Sequence, residues 1–246
     1  MSLISWRQAQ AIVVFTGAGM SAESGVPTYR GSGGIWERYR WQDYACQDAF
    51  EKNPQAVLDF HEKRRKAVLE CVPHSGHHAL YRLENSHADV TIISQNIDGM
   101  HQRAGNRNVL ELHGSLWRTR CPLHGVIQDL EQAEYTHRRC PQCRSRLRPD
   151  IVWFGDALPA DVLEAATRIV SRCDLFIAVG TSAWVWPAAG FAELAEKSGA
   201  VMLEINPEAT PMSPLYHHHL REPASSALTG LFADAPVQAE SGCHSK

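Results

Sequence analysis

The apolar run Ala11-Ile12-Val13-Val14-Phe15 ends at Thr16 and passes without a spacer into Gly17-Ala18-Gly19-Met20-Ser21-Ala22-Glu23-Ser24-Gly25. A β-branched run that breaks directly into closely spaced glycines confines the fold to a strand, a tight turn and a helix start, the opening of a parallel α/β unit. Gly17 permits the turn, Gly19 lacks the Cβ that would meet a diphosphate, and Ala22 suits the place where a helix packs on the sheet. The helix start adds unpaired N–H groups and the positive end of its dipole for an anion. From this segment alone two readings stay open: a dinucleotide pocket, or a turn that needs glycine for backbone reasons. The acidic residue expected about twenty positions on, holding a ribose, is missing. Residues 31–44 are instead glycine, aromatic and charged, with no strand.

Further apolar runs over 89–94, 174–179 and 201–205 end in polar or glycine-containing turns: Gln95-Asn96-Ile97-Asp98, Gly180-Thr181-Ser182 and Asn206-Pro207. Helical patterns over about 77–86, 159–172 and 187–198 separate several of them, as in a doubly wound parallel sheet with its ligand beyond the carboxyl ends of the strands. The four turns should therefore converge on one crevice. A chain of 246 residues with 44% hydrophobic content can enclose a large core and a smaller satellite. Its formal charge of -3 gives no long-range attraction for nucleic acid. No apolar run nears the roughly eighteen residues of a membrane span, and residues 1–10 lack the plan of a signal peptide. A cytoplasmic protein with no membrane attachment is expected. The seven cysteines, odd in number and unevenly spaced, speak against a disulfide framework.

Two stretches interrupt the sheet pattern. In residues 31–75 a helix should begin with Asn53 as N-cap and Pro54 at its first position. On it Val57, His61, Arg64 and Val68 share one stripe, where His61 and Arg64 need partners. The plain reading makes His61 a satisfied core histidine and lets Arg64 reach solvent. Glu62, Lys63, Arg65 and Lys66 fall mostly off the stripe and read as a solvated face. In residues 119–148, Cys121-Pro-Leu-His124 and Cys140-Pro-Gln-Cys143 supply three thiolates and an imidazole for one closed, structural Zn²⁺ site, with His137 as the alternative to His124. The arginines at 138, 139, 144, 146 and 148 come without interleaved aromatics, unlike a nucleic-acid-binding ribbon. The expected division is a sheet domain of residues 1–30, 76–118 and 149–233, a small domain of 31–75 and 119–148, and a flexible tail over 234–246.

Taken in order, GAGMSAESGVPTYRG, SQNIDGMHQRAG, ELHGSLWRTRC, RPDIVWFGD, VGTSAWVWPAAG and EINPEAT resemble the sirtuins, over nearly the whole chain from about residue 12 to 231. The resemblance implies an α/β fold in which a Rossmann-like doubly wound parallel sheet binds NAD beside a smaller inserted helical plus zinc-ribbon module. It implies NAD-dependent deacylation of lysines in acylated proteins or peptides, giving free lysine, nicotinamide and 2′-O-acyl-ADP-ribose. His113 of Glu-Leu-His-Gly becomes the catalytic general base, although taken alone it could equally cap the turn before Gly114. Asn96 and Asp98 would position the nicotinamide end and its ribose, with Gln95 at the ribose hydroxyls. Tyr29 and Arg30 match the cofactor loop, beside Gly17, Ala18, Gly19, Ser21 and Ala22. Gly180, Thr181, Ser182, Asn206 and Ala224 would line the phosphate, ribose and adenine side. Val152, Trp153, Phe154 and Gly155 would form the edge on which a substrate peptide lies as an added strand.

The Arg-Gly-Ser-Gly-Gly-Ile-Trp run and the stretch around residues 53–65 resemble the branch that removes succinyl and malonyl groups, where a tyrosine and an arginine three residues apart grip the acyl carboxylate. Here Arg64 keeps its place and His61 stands for the tyrosine. Trp41 stands where that branch is small, and a tryptophan in the pocket would shorten it. The resemblance therefore implies deacetylation as the general activity, with desuccinylation and demalonylation impaired. Two readings from other classes share the NAD site. A protein ADP-ribosyltransferase is opposed by His113 and the peptide edge, and a non-enzymatic NAD-sensing module would survive His113→Ala.

Overall fold

Every residue of Ile12–Thr16 is buried, as in a central parallel strand covered on both faces. In the computed structural model, which describes residues 6–29, 31, 33–182, 188 and 190–236, this strand is β1. It is followed by the single turn α1 (Gly19–Ala22), the short helices α2 (Ile35–Arg38), α3 (Trp41–Tyr44) and α4 (Gln47–Lys52), and the longer α5 (Pro54–Leu69) and α6 (Ser75–Ser86). Next come β2 (Val90–Ser94), α7 (Met100–Arg103), β3 (Val109–Glu111), β4 (Gly114–Cys121), β5 (Gly125–Gln128) and β6 (Arg148–Ile151). The chain closes with α8 (Ala160–Val170), β7 (Leu175–Val179), α9 (Gly190–Lys197), β8 (Val201–Ile205), β9 (His218–Leu220) and α10 (Ala224–Leu231).

Six parallel strands lie in the order β3-β2-β1-β7-β8-β9, the doubly wound arrangement expected. Alternation along each strand divides the core. Ile12, Val14, Ile92 and Ile177 pack with Leu80 and Leu83 of α6 and Leu228 of α10 on one face. Val13, Phe15, Ile93 and Phe176 pack with Ala166 of α8 and Phe191 of α9 on the other. Each such fully buried side chain contributes roughly 1.5–3 kcal/mol relative to exposure. Ala235 is also buried and Arg7 pairs with Asp234, so the packed chain runs past the expected start of the tail at 234. Residues 237–246 lie outside the described residues. Among the described residues no helix is long and apolar enough to cross a membrane.

A third cluster joins α5 to a small antiparallel sheet of order β5-β4-β6, which reaches from residue 114 to 151 and so exceeds the 119–148 span expected. Helix α5 begins as its sequence requires: Asn53 Oδ1 accepts from Ala56 N at 3.1 Å with Pro54 at the first position. Its charged run is not a solvated face throughout. Arg65 is fully buried, donating to Asp129 Oδ2 at 2.8 Å and to the carbonyls of Leu130 and Gln132, with its guanidinium over the rings of Tyr135 and Trp117. Glu62 accepts from Tyr135 N and Arg138. Both were expected in solvent. Each instead fastens the 129–138 loop to α5, because that loop supplies carbonyls and a carboxylate that desolvate the guanidinium without leaving its donors unpaired.

Candidate active site

The chain runs from β1 outward to β2 and β3, then returns to place β7 on β1's other side, so the ends of β1 and β7 open a crevice. Gly17 N donates to Val179 O at 3.0 Å and Gly19 N to Gly180 O at 2.9 Å, interlocking the two turns. A Cβ on Gly17 or Gly19 would come 2.8 Å from Gly180 backbone atoms. Gly180 itself has φ +58°, and its Cβ would lie 2.4 Å from Met20 N. Gly19 is thus required by the neighbouring turn before any diphosphate is considered, a reason that adds to the one given from sequence. The helix that follows is also only one turn, too short to add the dipole expected of it. Gly180→Ala should therefore destabilise the protein without nucleotide, by about 1–3 kcal/mol. Thermal denaturation of the ligand-free chain checks this, and an unchanged melting temperature would return these glycines to a ligand-only role.

A cavity of about 930 Å³ opens at this crevice, at the upper end of the roughly 300–1,000 Å³ usual for ligand pockets. Gly17, Ala18, Gly19, Ala22 and Tyr29 line it beside Gln95, Asn96, His113, Gly180, Thr181, Ser182, Asn206 and Ala224. Ser21 and Asp98 do not line it. They are buried behind it, Ser21 Oγ 3.3 Å from Asn96 Nδ2 and Asp98 accepting from Met100 N at 2.9 Å. Burial pushes the Asp98 carboxyl above its ordinary range. Asn96 Nδ2 also donates to Gly17 O at 3.0 Å, tying the β2 turn to the glycine turn. Gln95 Nε2 donates to Thr181 Oγ1 and Asn206 Nδ2 to Thr181 O, so the turns after β2, β7 and β8 are cross-linked. Arg30 and residues 183–187 of the VGTSAWVWPAAG motif lie outside the described residues.

His113 sits between β3 and β4, where Gly114 has φ +77° and a Cβ would lie 1.9 Å from Asp150 O. Glycine there lets β4 start against β6 and turns the histidine into the cavity. His113 Nδ1 lies 2.9 Å from Gln95 O, which can only accept, so Nδ1 carries the proton and Nε2 keeps a bare lone pair. Burial moves the imidazole below its ordinary value, favouring the neutral ring. A neutral histidine with its acceptor nitrogen free in a partly apolar cavity can remove a proton from a bound hydroxyl.

The other end of the cavity is walled by Tyr29, Trp36, Phe60, His61, Arg64, Val152, Trp153, Phe154 and Gly155. His61 Nδ1 lies 2.8 Å from Val57 O, which leaves Nε2 an acceptor, and burial pushes the ring down to about 3. Arg64 donates to the Tyr29 hydroxyl at 2.9 Å and lies over its ring. Among the described residues no carboxylate lies within salt-bridge distance of it. Trp41 is not a cavity residue: its ring packs 4.6 Å from that of Phe154, and Ala45, four residues on, lines the cavity instead. The shortening expected from Trp41 is therefore corrected. Sequence reasoning also missed Trp36 and Phe60, whose rings stack with 6.2 Å between centres. The segment 152–155 follows the end of β6, with Val152 N donating to His113 O, Trp153 N to Asp156 and Phe154 N to Ala45 O.

Cys121, His124, Cys140 and Cys143 come together, all four ligand atoms within 4.8 Å of one another. Cys121 Sγ lies 3.5 Å from His124 Nδ1 and 3.5 Å from Cys143 Sγ, and Cys140 Sγ lies 3.4 Å from His124 Nδ1. Tetrahedral Zn–S and Zn–N bonds would set these edges at about 3.6–3.8 Å. The donor set fits one structural Zn²⁺, with no ligand position left over for catalysis. His137, the alternative to His124, is not in the cluster. Arg138 and Arg148 are occupied within the fold, pairing with Asp59 and Glu62 and with Asp156 respectively.

Residues 17–187 match the model of the Sir2 family. The chain is 40% identical over 227 residues to an NAD-dependent protein deacylase of Aquifex aeolicus, covering 90% of this chain and 93% of that one. In structure it is similar to a Sir2 homologue in complex with NAD, at a TM-score of 0.85 and 40% identity, over 93% of this chain and 90% of that one. A Sir2 homologue variant in complex with 2′-O-acetyl ADP-ribose matches at a TM-score of 0.85 and 41% identity, over 93% and 92% of the two chains.

Proposed function

The chain belongs to the Sir2 family and is an NAD-dependent protein deacylase, and from that premise we propose that His113 is its general base and that the His61–Arg64 end of the cavity receives the acyl group. The observation that carries this reading is the His113 tautomer, fixed by Gln95 O so that the basic nitrogen is the free one. NAD would be held by the turns at 17–22, 95–98, 180–182 and 206, with Tyr29, Arg30 and Ala224 beside them. When bound, it supplies a glycosidic carbon from which nicotinamide departs and which the acyl oxygen can attack.

The chain's own contribution is positional and electrostatic. Gln95 and Asn96, braced on Thr181 and Gly17, hold the nicotinamide ribose, and buried Asp98 supports Asn96's turn. His113 Nε2 then takes a proton from a ribose hydroxyl so that its oxygen can receive the acyl group. Trp36, Phe60 and Trp153 exclude water from the acyl carbonyl. A peptide laid along 152–155 would be held through main-chain carbonyls, because the N–H groups at 152, 153 and 154 are already engaged. Acylated proteins or peptides are the substrates of this reading.

Acetyl fits this pocket without further help. An acidic acyl group would find Arg64, which has no carboxylate within salt-bridge distance among the described residues, and Ala45 leaves it room. His61 offers no second donor, because its Nδ1 proton is used on Val57 O and its Nε2 lone pair would oppose a carboxylate. Deacetylation is thus the main activity, with succinyl and malonyl groups removed more slowly through Arg64 alone. Arg64→Met should lower desuccinylation about tenfold or more while changing deacetylation by less than about threefold. Rates on matched acetyl- and succinyl-lysine peptides decide it. Equal losses on both would show that Arg64 does not read acyl charge, and wild-type succinyl removal far faster than acetyl would overturn the preference.

A further inference from the structure

The turn joining β1 to α1 is flanked by three histidines that the reaction above does not use. His74, at the start of α6, accepts from Gly76 N through Nδ1 at 2.9 Å, so its Nε2 carries the proton and donates to Met20 O at 2.7 Å. His77 accepts from His74 N through Nδ1 at 3.3 Å, so its Nε2 is protonated too. That N–H is buried and unpartnered among the described residues. His101, on α7, meets Thr16 Oγ1 through Nε2 at 3.1 Å, and its Nδ1 is likewise buried and unpartnered. The His77 and His101 rings are neighbours, 5.1 Å between centres.

Thr16 Oγ1 also lies 3.0 Å from Ser94 Oγ, which accepts from Asn96 N at 3.1 Å. Two proton arrangements can be written for these groups. If Thr16 donates to Ser94, then His101 Nε2 donates to Thr16, and its Nδ1 keeps a lone pair. If the hydroxyls point the other way, His101 carries its proton on Nδ1 and two buried donors are left with no acceptor. Thr16 Oγ1 is the donor to Ser94 Oγ, so its one proton is spent there and the first arrangement prevails; His77 Nε2 and His101 Nδ1 have no direct partner among the described residues, and a single water between them would satisfy both. Burial pushes His77 down to about 2 and His101 to about 3, and the titratable groups facing them are histidines, His74 and His78, rather than carboxylates. A doubly protonated ring is therefore disfavoured at either position.

We propose that His77 and His101 are positioning residues for the NAD turn, linked through one water in a polarised chain running from His74 N–H through both rings to Thr16 and Ser94, whose hydroxyl oxygen also accepts from the Asn96 N–H. The chain holds residue 16 at one end of the turn while His74 holds Met20 at the other. It thereby fixes the separation between the glycine turn and Asn96. The positioning role rests on the assignment of these turns to NAD, whereas the tautomers do not depend on it.

Nitrogen-15 NMR of histidine-labelled full-length protein tests the chain directly. Both His77 and His101 should be neutral Nε2–H tautomers from about pH 8 to about pH 5, with His101 Nδ1 shifted as an acceptor. An Nδ1–H tautomer of either ring, or titration in the ordinary histidine range, would overturn the relay. The functional half uses His77→Leu, His101→Leu and the double variant. Each single change should raise KM for NAD about tenfold with little change in kcat, and the double change should be no worse than the worse single one. Additive losses would overturn the coupling. Correct tautomers with an unchanged KM would overturn the positioning role while leaving the hydrogen-bond chain intact. Should the leucine variants fail to fold, the NMR measurement on the unaltered protein still decides the relay.

Discussion

His113→Ala should lower kcat/KM for an acylated peptide by about 10²–10⁴-fold while leaving the binding of NAD within a few-fold of the unaltered chain. Among the described residues the side chain's hydrogen bond is to Gln95 O, which orients the ring at the cavity wall. The loss should therefore appear in catalysis rather than in melting temperature. The pH dependence follows from the same geometry. A general base works in its neutral form, and burial places this ring below the ordinary histidine value of about 6.5. The acid limb of kcat/KM should accordingly have its midpoint below that value, with a plateau around neutrality, and His113→Ala should remove the limb. A limb centred above it would mean either that the ring titrates as a charge-stabilised histidine or that a different group sets the rate.

Cys140→Ala should abolish zinc binding and unfold the small module. Cys140 and Cys121 are buried, yet the apolar company they keep is little more than Leu147 and Ile127, too little to hold a loop-rich segment together. Structural zinc contributes about 10–16 kcal/mol of apparent binding energy in isolated zinc-finger peptides, which is then folding energy. Because β4 and β6 run from the metal cluster to Gly114 and Ile151, loss of the module should carry away deacylase activity as well. Metal analysis and a thermal melt check this. Zinc at one per chain with an unchanged melting temperature in Cys140→Ala would contradict it, and His124→Ala beside His137→Ala identifies the imidazole ligand.

The parts of the fold that were legible are those whose residues state their environment locally. The apolar runs at β1, β2, β7 and β8 show burial on both faces, and Asn53-Pro54 specifies a helix start without outside help. The edge strands β3 and β9 were not legible, being three residues long and only half-buried, so neither shows an apolar run or an alternation. Arg65 was read as solvated because its partners, Asp129, Leu130 and Gln132, belong to a loop more than sixty residues away. Trp41 and Ala45 sit on consecutive turns, and only the tertiary placement of Phe154 decides which faces the cavity. The sequence shows that Gly17 and Gly19 lack a Cβ but not that Gly180 is what a Cβ there would strike, so the turn-to-turn packing that also requires glycine was not legible.

The most direct test is mass analysis of the products formed from NAD and an acetyl-lysine peptide by the unaltered chain and by His113→Ala. Deacetylated peptide, nicotinamide and 2′-O-acetyl-ADP-ribose in equal amounts, lost together in the variant, is the predicted result. ADP-ribose attached to protein, or product formation that survives His113→Ala, would contradict the assignment of His113 as the base of a lysine deacylase.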